Sequence, residues 1–358
     1  FLGFMYRYGQ GVAKNRQNAL SAFNTAIQKG NQLAKYEYAE LYYDGSVKSP
    51  PKQKYHNWLV EGADKKRRTS QYILGKRYLL GTDVEKSVPK GLVLLDRASQ
   101  QGLWSATNYM ASLYETGSHV KKDMKEAQKL YRKSALAGSV TGQRKMAHFY
   151  EAGIGGPKNI KEAQKWYQKA ANKGDISSQV KLGVLMENSG ADNPEAFKTA
   201  LALYQKAHAG GSSEASWRMG RMYGSGKVGK KDLKTATKYY RASADRGNSE
   251  GKIRYGYNLA MGLGVVQDKR GAKTYYEQAA EAGYARAMYF LGLGQKNGLF
   301  GAKNNTDAEK WLSKALASGM TEAKEPLNQL LNLKSSSLKQ YEQRAAAGDV
   351  TALYNAGY

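Results

Sequence analysis

Lys125–Gly138 reads KEAQKLYRKSALAG, and Lys161–Gly174, 36 residues later, reads KEAQKWYQKAANKG. Related segments end at Gly247 (KTATKYYRASADRG) and Gly283 (RGAKTYYEQAAEAG). Within each segment, small and large apolar residues recur at three- and four-residue spacing, so they share one face of a helix. Each segment ends on glycine, which adopts the left-handed C-cap conformation without steric cost. The segments therefore predict equivalent helices of a repeating unit.

A second series of glycines predicts the end of another helix in each unit. Its spacing is 36 residues up to Gly153; Ser189 takes the next position, and the series resumes at Gly226 after one inserted residue. The members of this first-helix series are Gly9, Gly45, Gly81, Gly117, Gly153, Gly226, Gly262 and Gly298. The series that ends the second helices is Gly30, Gly102, Gly138, Gly174, Gly210, Gly247, Gly283 and Gly319, with Lys66 in the missing position.

Polar N-caps and small packing residues follow the same period. Glu126 and Glu162, three residues after two of the caps, predict a capping box. The column of predicted N-caps is Asn15, Ser87, Asp123, Asn159, Asp232, Asp268 and Asn304. Small residues at the middle of the first helices, which allow close helix approach, are Gly75, Ala111, Ala147, Gly183, Gly220, Gly256 and Gly292.

The stretch YGSGKVGKK (223–231) resembles a phosphate-binding loop in two ways. It contains G-x-G-x-x-G from Gly224 to Gly229 and G-x-x-x-x-G-K from Gly224 to Lys230. A dinucleotide site needs a preceding buried strand, whereas the period predicts a helix there. A P-loop needs Ser or Thr after the lysine, and Lys231 stands in that place. We therefore interpret these glycines as a turn between two helices.

Spacing and residue type together resemble the Sel1-like repeat family. The best examples are LGFMYRYGQGVAKNRQNALSAFNTAIQKG (2–30) and ATNYMASLYETGSHVKKDMKEAQKLYRKSALAG (106–138). The resemblance implies an all-α fold, an α-solenoid of antiparallel helix pairs similar to tetratricopeptide arrays. It also implies a scaffold or adaptor without a shared catalytic residue. Bacterial members are often exported, and several act in cell-envelope assembly or in contact with host cells, so the resemblance implies a periplasmic or secreted protein.

We expect one array of about ten helix pairs over residues 1–358. Local departures are the lysine at position 66 and SSS (335–337), which replaces the glycine turn of its unit. The chain opens with FLGFMY and closes with ALYNAGY (352–358), both inside first helices, so we expect the array to continue on both sides. The expected units are 1–30, 31–66, 67–102, 103–138, 139–174, 175–210, 211–247, 248–283, 284–319 and 320–348, with another starting at 349–358.

Fifty-six Lys and Arg against thirty Asp and Glu give a net charge of +26. Such a charge favours encounter with polyanions without choosing among nucleic acid, anionic lipid, acidic glycan and acidic protein. Cysteine is absent, which excludes disulfides and cysteine-ligated zinc. The apolar runs fall short of the ~18 residues that span a bilayer.

One column of the first helices predicts a basic ladder for a protein partner. Long cations recur there in consecutive units, on the face that repeat arrays use for binding, and a solvated surface is the competing interpretation. The predicted partner-binding residues are Tyr109, Lys145, Lys181, Arg218 and Arg254 in this column, with His148, Arg221 and Tyr257 one turn further along the same face. KKRR (65–68) is the densest basic run, and we interpret it as an exposed turn; a polyanion-binding or nuclear-localisation patch is the alternative.

The sequence predicts no catalytic, metal or cofactor site. The four histidines lie in different units without partners at metal-ligand spacing, and no nucleic-acid signature appears. The expected function is a non-enzymatic scaffold that holds an acidic protein or a cell-wall enzyme. The alternatives are direct binding of an anionic cell-wall or capsular glycan, and a structural spacer in a larger repeat protein involved in host contact.

Overall fold

The computed structural model describes residues 1–43, 53–189 and 194–346, and these residues form helices and turns without a strand. They belong to two compact units, Phe1–Asp175 and Ile176–Tyr358. Gly45 and the segment 352–358 lie outside the described residues. The helices of the first unit are α1 (Leu2–Tyr8), α2 (Arg16–Gln28), α3 (Ala34–Tyr42), α4 (Gln53–Asp64), α5 (Arg68–Leu80), α6 (Val88–Gln100), α7 (Trp104–Thr116), α8 (Met124–Leu136), α9 (Val140–Ala152) and α10 (Ile160–Asn172).

The second unit continues the same alternation of helices and short turns. A 3₁₀ turn, Thr321–Ala323, precedes its last helix. Its helices are α11 (Ile176–Asn188), α12 (Pro194–Ala209), α13 (Ser213–Ser225), α14 (Leu233–Asp245), α15 (Ser249–Met261), α16 (Lys269–Glu281), α17 (Ala285–Asn297), α18 (Asn305–Ala317) and α19 (Lys324–Ala346). Within each unit, every helix packs against the next one along the chain, which confirms stacked helix pairs of the α-solenoid class.

The predicted glycine C-caps are confirmed in both series. Gly117, for example, has φ 76° and donates its N–H to the Leu113 carbonyl, which closes α7. Position 66, where the series has lost its glycine, keeps the left-handed conformation with φ 60° on lysine. Gly210 is a correction: the neighbouring Gly211 takes the left-handed position, with φ 93°. Helix α12 is longer than its counterparts, so its turn begins later.

The predicted N-caps are confirmed except at Ser87, whose side chain makes no capping hydrogen bond. Asp123, for example, accepts from the backbone N–H of Lys125 and Glu126. The capping box is wrong, because the Asp123 N–H already donates to the Tyr114 carbonyl at 2.9 Å. Glu126 therefore turns away and pairs with Lys129. The same holds for Glu162, which pairs with Lys165 while the Asn159 N–H donates to the Tyr150 carbonyl.

Close approach of helices explains the small residues at the middle of the first helices. All of them are buried. A Cβ on Gly75 would lie 2.9 Å from the Gly91 carbonyl oxygen of the paired helix, and a Cβ on Gly183 would lie 2.5 Å from the Tyr204 ring. Both distances are too short for real Cβ contacts, so any larger residue would push the helices of a pair apart.

Ser335–Ser337, which stand where other units have a glycine turn, lie inside a helix. Helix α19 runs through this segment without a break. The hydroxyls of Ser336 and Ser337 bond back to the Leu333 carbonyl, which is compatible with a continuous helix. Among the described helices, none combines the length and apolar character needed to cross a membrane.

Candidate functional site

The stretch YGSGKVGKK has no nucleotide-loop architecture. Helix α13 precedes it where a dinucleotide fold has a strand. Gly224 lies inside that helix, whereas Gly226 (φ 76°) and Gly229 (φ 136°) form the turn to α14. The interpretation of Gly226 and Gly229 as turn glycines is confirmed. For Gly224 it is wrong, because α13 extends to Ser225 and holds Gly224 within its last turn.

In the first unit, a glutamate on the last turn of α7 joins two neighbouring helices. Glu115 accepts a hydrogen bond from the Tyr131 hydroxyl of α8 at 2.7 Å. Both its oxygens lie 2.8 Å from the Lys145 Nζ of α9. Lys145 also lies over the Tyr131 ring, 5.4 Å from its centroid. The three side chains form a carboxylate bridge, in which a tyrosine hydroxyl and a cation share one carboxylate.

The electrostatics of this bridge favour an ionised Glu115. Burial raises the pKa of Glu115, but the hydrogen bonds from Lys145 and Tyr131 outweigh burial and hold it below its usual value. Burial and the bond to Glu115 raise the pKa of Tyr131, so its hydroxyl stays protonated and donates. The first unit repeats part of the bridge at Tyr167, which donates to Glu151 at 2.7 Å.

The second unit contains a full carboxylate bridge around Glu187. The Tyr204 hydroxyl donates to Glu187 Oε2 at 3.1 Å, and Arg218 Nη1 donates to the same oxygen at 3.4 Å. Lys227 Nζ lies 3.3 Å from Oε1, and Arg221 is 3.8 Å away. The Glu187 side chain is 7% exposed, so this carboxylate is committed to the chain's own cations.

Next to Glu187, a cleft of about 400 Å³ opens beside Gly224. Four cationic side chains and one carboxylate line it, together with the Tyr240 and Tyr257 rings. The charged residues are Arg221, Lys227, Lys231, Arg254 and Glu187. A cleft with this excess of positive charge and two tyrosines suits an anionic ligand group.

The predicted partner-binding residues fall into three groups: some contact other side chains of the chain, some are exposed, and some line the cleft. In the first unit, Lys145 is held by Glu115 and Tyr109 is half-buried edge-to-face against Tyr72, whereas His148 is exposed. In the second unit, Lys181 is exposed. Arg218 is held by Glu187 and by Glu214, at 2.7 Å. The cleft brings together Arg221, Arg254 and Tyr257.

The residues predicted from the sequence do not include the glutamates of the bridges, nor the two lysines of the cleft, Lys227 and Lys231. Glu115, Glu151 and Glu187 occupy one column of the repeat, and the tyrosines 16 or 17 residues later occupy another. Reading both columns against the cation column would have found the bridges. Within the run KKRR, residues 65–67 form the turn between α4 and α5, and Arg68 begins α5. Arg67 pairs with Glu37 and Glu40.

A histidine and a serine of the second unit are in contact without forming a nucleophilic pair. His208 Nδ1 lies 2.8 Å from Ser216 Oγ. This serine is fully buried, and its hydroxyl donates to the Ser212 carbonyl at 2.9 Å, so it is not placed to attack a substrate. Burial and Arg246 lower the pKa of His208. Within the described ranges, no group of three or more His, Asp and Glu side chains is placed to hold a metal ion.

The repeat architecture defines the class of protein, and comparison gives the family. The family model described as Sel1 repeat matches 1–31, 69–103, 104–139, 140–175, 176–212, 213–248, 249–284 and 285–320. The chain therefore belongs to the Sel1 repeat family, whose members typically mediate protein–protein interactions and are generally non-catalytic.

Solved structures support the same family. A protective antigen of uropathogenic Escherichia coli strains, which displays the Sel1-like repeat (SLR) fold, is 25% identical with a TM-score of 0.74, over 94% of this chain and 74% of that chain. A Sel1 repeat protein from Oxalobacter formigenes is 30% identical with a TM-score of 0.59, over 68% of this chain and 96% of its own. No curated protein shows significant sequence similarity to the chain.

Proposed function

We propose that this protein is a non-enzymatic scaffold that holds an acidic protein partner through the cleft of its second unit. The observation that carries the proposal is the lining of that cleft, in which four cations face one carboxylate. Glu187 is shared among Arg218, Arg221 and Lys227. Because one carboxylate cannot neutralise four cations, the lining of the cleft keeps a net positive charge.

The proposal narrows the basic ladder that the sequence predicts. Lys145 and Arg218 hold structural carboxylates, so their first role is to join neighbouring helices. Arg221, Arg254 and Tyr257 are the members of the ladder that line the cleft. Arginines that present forked donors, with a tyrosine beside them, suit carboxylates of a protein surface.

An envelope setting is part of the proposal. The similarity to a protective antigen from a pathogenic strain supports a periplasmic or secreted location and a client among acidic envelope proteins or cell-wall enzymes. An anionic cell-wall or capsular glycan is the second candidate, because glycan carboxylates would satisfy the same arginines. A structural spacer, in which the cleft binds nothing, is the third.

Binding of a fluorescent ten-residue glutamate peptide tests the proposal. We expect Arg221→Ala with Arg254→Ala to weaken binding at least tenfold. The matched control, Lys206→Ala with Lys269→Ala, removes the same charge from exposed positions of the same unit and should change affinity less than twofold. Equal losses in the two double variants would show binding by overall charge and would contradict the cleft.

Co-sedimentation separates the protein partner from the glycan. The scaffold proposal predicts that purified peptidoglycan does not carry the protein into the pellet at physiological salt. Pelleting that disappears in the Arg221 and Arg254 double variant, but not in the lysine control, would favour the glycan. Absence of binding to both the peptide and the glycan would favour the spacer.

A further inference from the structure

The carboxylate bridge follows three columns of the repeat, one for the glutamate, one for the tyrosine and one for the cation. Where the glutamate is present, a tyrosine and a cation accompany it, as in Glu115–Tyr131–Lys145 and Glu187–Tyr204–Arg218. One unit earlier, the equivalent positions carry neither the glutamate nor the cation, and their side chains pack together: Leu79, Leu95 and Tyr109. One unit after the cleft they are Ala260, Tyr276 and Phe290: the tyrosine remains, but neither the glutamate nor the cation is present, and the three side chains pack in one apolar cluster.

The cleft differs from both arrangements, because it has the cation without the carboxylate. The three equivalent positions are Gly224, Tyr240 and Arg254, so the tyrosine and the cation are present and the glutamate is missing. In the part of the chain that the structure describes, neither the Tyr240 hydroxyl nor the Arg254 guanidinium contacts a carboxylate. All three residues line the same cleft.

The space left by the missing side chain is open. A Cβ on Gly224 would lie 3.4 Å from the Ala236 Cβ and 3.6 Å from the Tyr240 hydroxyl, both ordinary contacts. A side chain at position 224 would therefore begin beside the hydroxyl that a bridging carboxylate needs. Tyr240 differs from Tyr131 in its electrostatic surroundings as well. Burial raises the pKa of both tyrosines. Arg254 and Arg221 oppose the rise at Tyr240, whereas Glu115 adds to the rise at Tyr131.

We propose that a carboxylate of the partner protein occupies the place of the missing glutamate and bridges Tyr240 and Arg254. The partner thereby completes, between molecules, the bridge that Glu115 and Glu187 make within the chain. This inference rests on the proposed function and adds the ligand group and its two contacts. The anchor is an aspartate, a glutamate or a C-terminal carboxylate of the partner.

Supplying the carboxylate from the chain itself tests the inference. In Gly224→Glu, the new side chain should fill the gap and compete with the partner, so we expect the glutamate peptide to bind at least tenfold more weakly. Gly224→Ala keeps the gap open and should bind as the wild type does. Gln205→Glu, at an exposed position of α12 outside the cleft lining, adds the same charge without filling the gap and should cost no more than a few-fold.

Two further variants distinguish bridging from simple repulsion. Tyr240→Phe removes the hydroxyl and keeps the ring, and it should weaken the peptide about tenfold. Gly224→Glu should have a higher melting temperature than Gly224→Gln at neutral pH, because only the glutamate restores an ionised bridge. The difference should vanish at low pH, where the carboxylate is protonated.

The outcomes separate this inference from the proposed function. If Gly224→Glu binds the peptide as tightly as Gly224→Ala, while the Arg221 and Arg254 double variant loses binding, the scaffold proposal stands and the bridging carboxylate is wrong. Displacement of the peptide by inorganic phosphate, but not by glutarate at equal ionic strength, would also overturn the carboxylate. A wild type that does not bind the peptide would contradict the proposed function and the inference together.

Discussion

Two alanine substitutions on one helix test whether the glycine columns exist for packing. Gly220 and Gly224 lie one turn apart on α13. A Cβ at Gly220 would lie 2.6 Å from two ring carbons of Tyr240 and 3.1 Å from the Ala236 carbonyl oxygen. Tyr240 is buried at 8% exposure, so its ring has little room to move. At Gly224 the nearest atom is 3.4 Å away.

Both substitutions gain helix propensity, but only Gly220→Ala also overpacks the core. Replacing a helical glycine by alanine gains about 0.5–1 kcal/mol at either site. Overpacking of a well-packed core costs about 1–3 kcal/mol, and this cost applies at Gly220 alone. We therefore expect Gly224→Ala to be neutral or slightly stabilising, and Gly220→Ala to be less stable than Gly224→Ala by about 1–3 kcal/mol.

Urea unfolding of both variants, followed by far-UV circular dichroism, measures this difference. Stacked repeats can lose their all-or-none behaviour, so hydrogen exchange of the α13 amides provides a local measure of the same free energy. Equal stability of the two variants, or a less stable Gly224→Ala, would refute the packing role of the glycine column.

Three further predictions concern a cap, a turn and a bridge. Asp123→Ala should lower the free energy of unfolding by about 1 kcal/mol, whereas Ser87→Ala should leave urea unfolding almost unchanged; equal losses would contradict the capping assignment. Lys66→Gly should raise the free energy of unfolding by about 1 kcal/mol, because glycine adopts φ 60° without strain. Lys66→Ala keeps the strained backbone and should give no gain; a gain in both variants would show that removal of the charge is the cause. The fold lowers the pKa of Glu115, so its contribution to stability is complete above the pKa of the unfolded chain, about 4.3, and is lost as pH falls through the lower pKa of the folded protein. Glu115→Gln should therefore flatten the acid limb of the curve of stability against pH. Parallel curves for the variant and the wild type would contradict the bridge.

Local features of the fold were predictable from the sequence. A C-cap glycine and an N-cap aspartate each act within one turn of their own helix, so the residue type and its position are sufficient. Gly117 and Asp123 illustrate this, and both adopt the expected geometry. Errors arose where a neighbouring group competed for the same atom. The Asp123 N–H was taken by the Tyr114 carbonyl, and the capping box therefore did not form.

The candidate site was only partly predictable, because its contacts join helices that are distant in sequence. Lys145 was found as a member of a basic column, but its pairing with Glu115 spans 30 residues and depends on how successive pairs stack. The sequence interpretation treats Gly224 as a turn residue, because the spacing of glycines does not show whether a glycine lies inside a helix or after its end. Its meaning becomes visible only beside Glu115, Glu151 and Glu187.

The central claim is that an open position between Tyr240 and Arg254 accepts a partner's carboxylate. Titration of the protein with glutarate, followed through the arginine Nε–H resonances in NMR spectra, tests it most directly. We expect saturable shifts at Arg254 and Arg221 in the wild type, little change at the internally paired Arg218, and loss of the shifts in Gly224→Glu. An unresponsive Arg254, or equal shifts at all arginines of the unit, would contradict it.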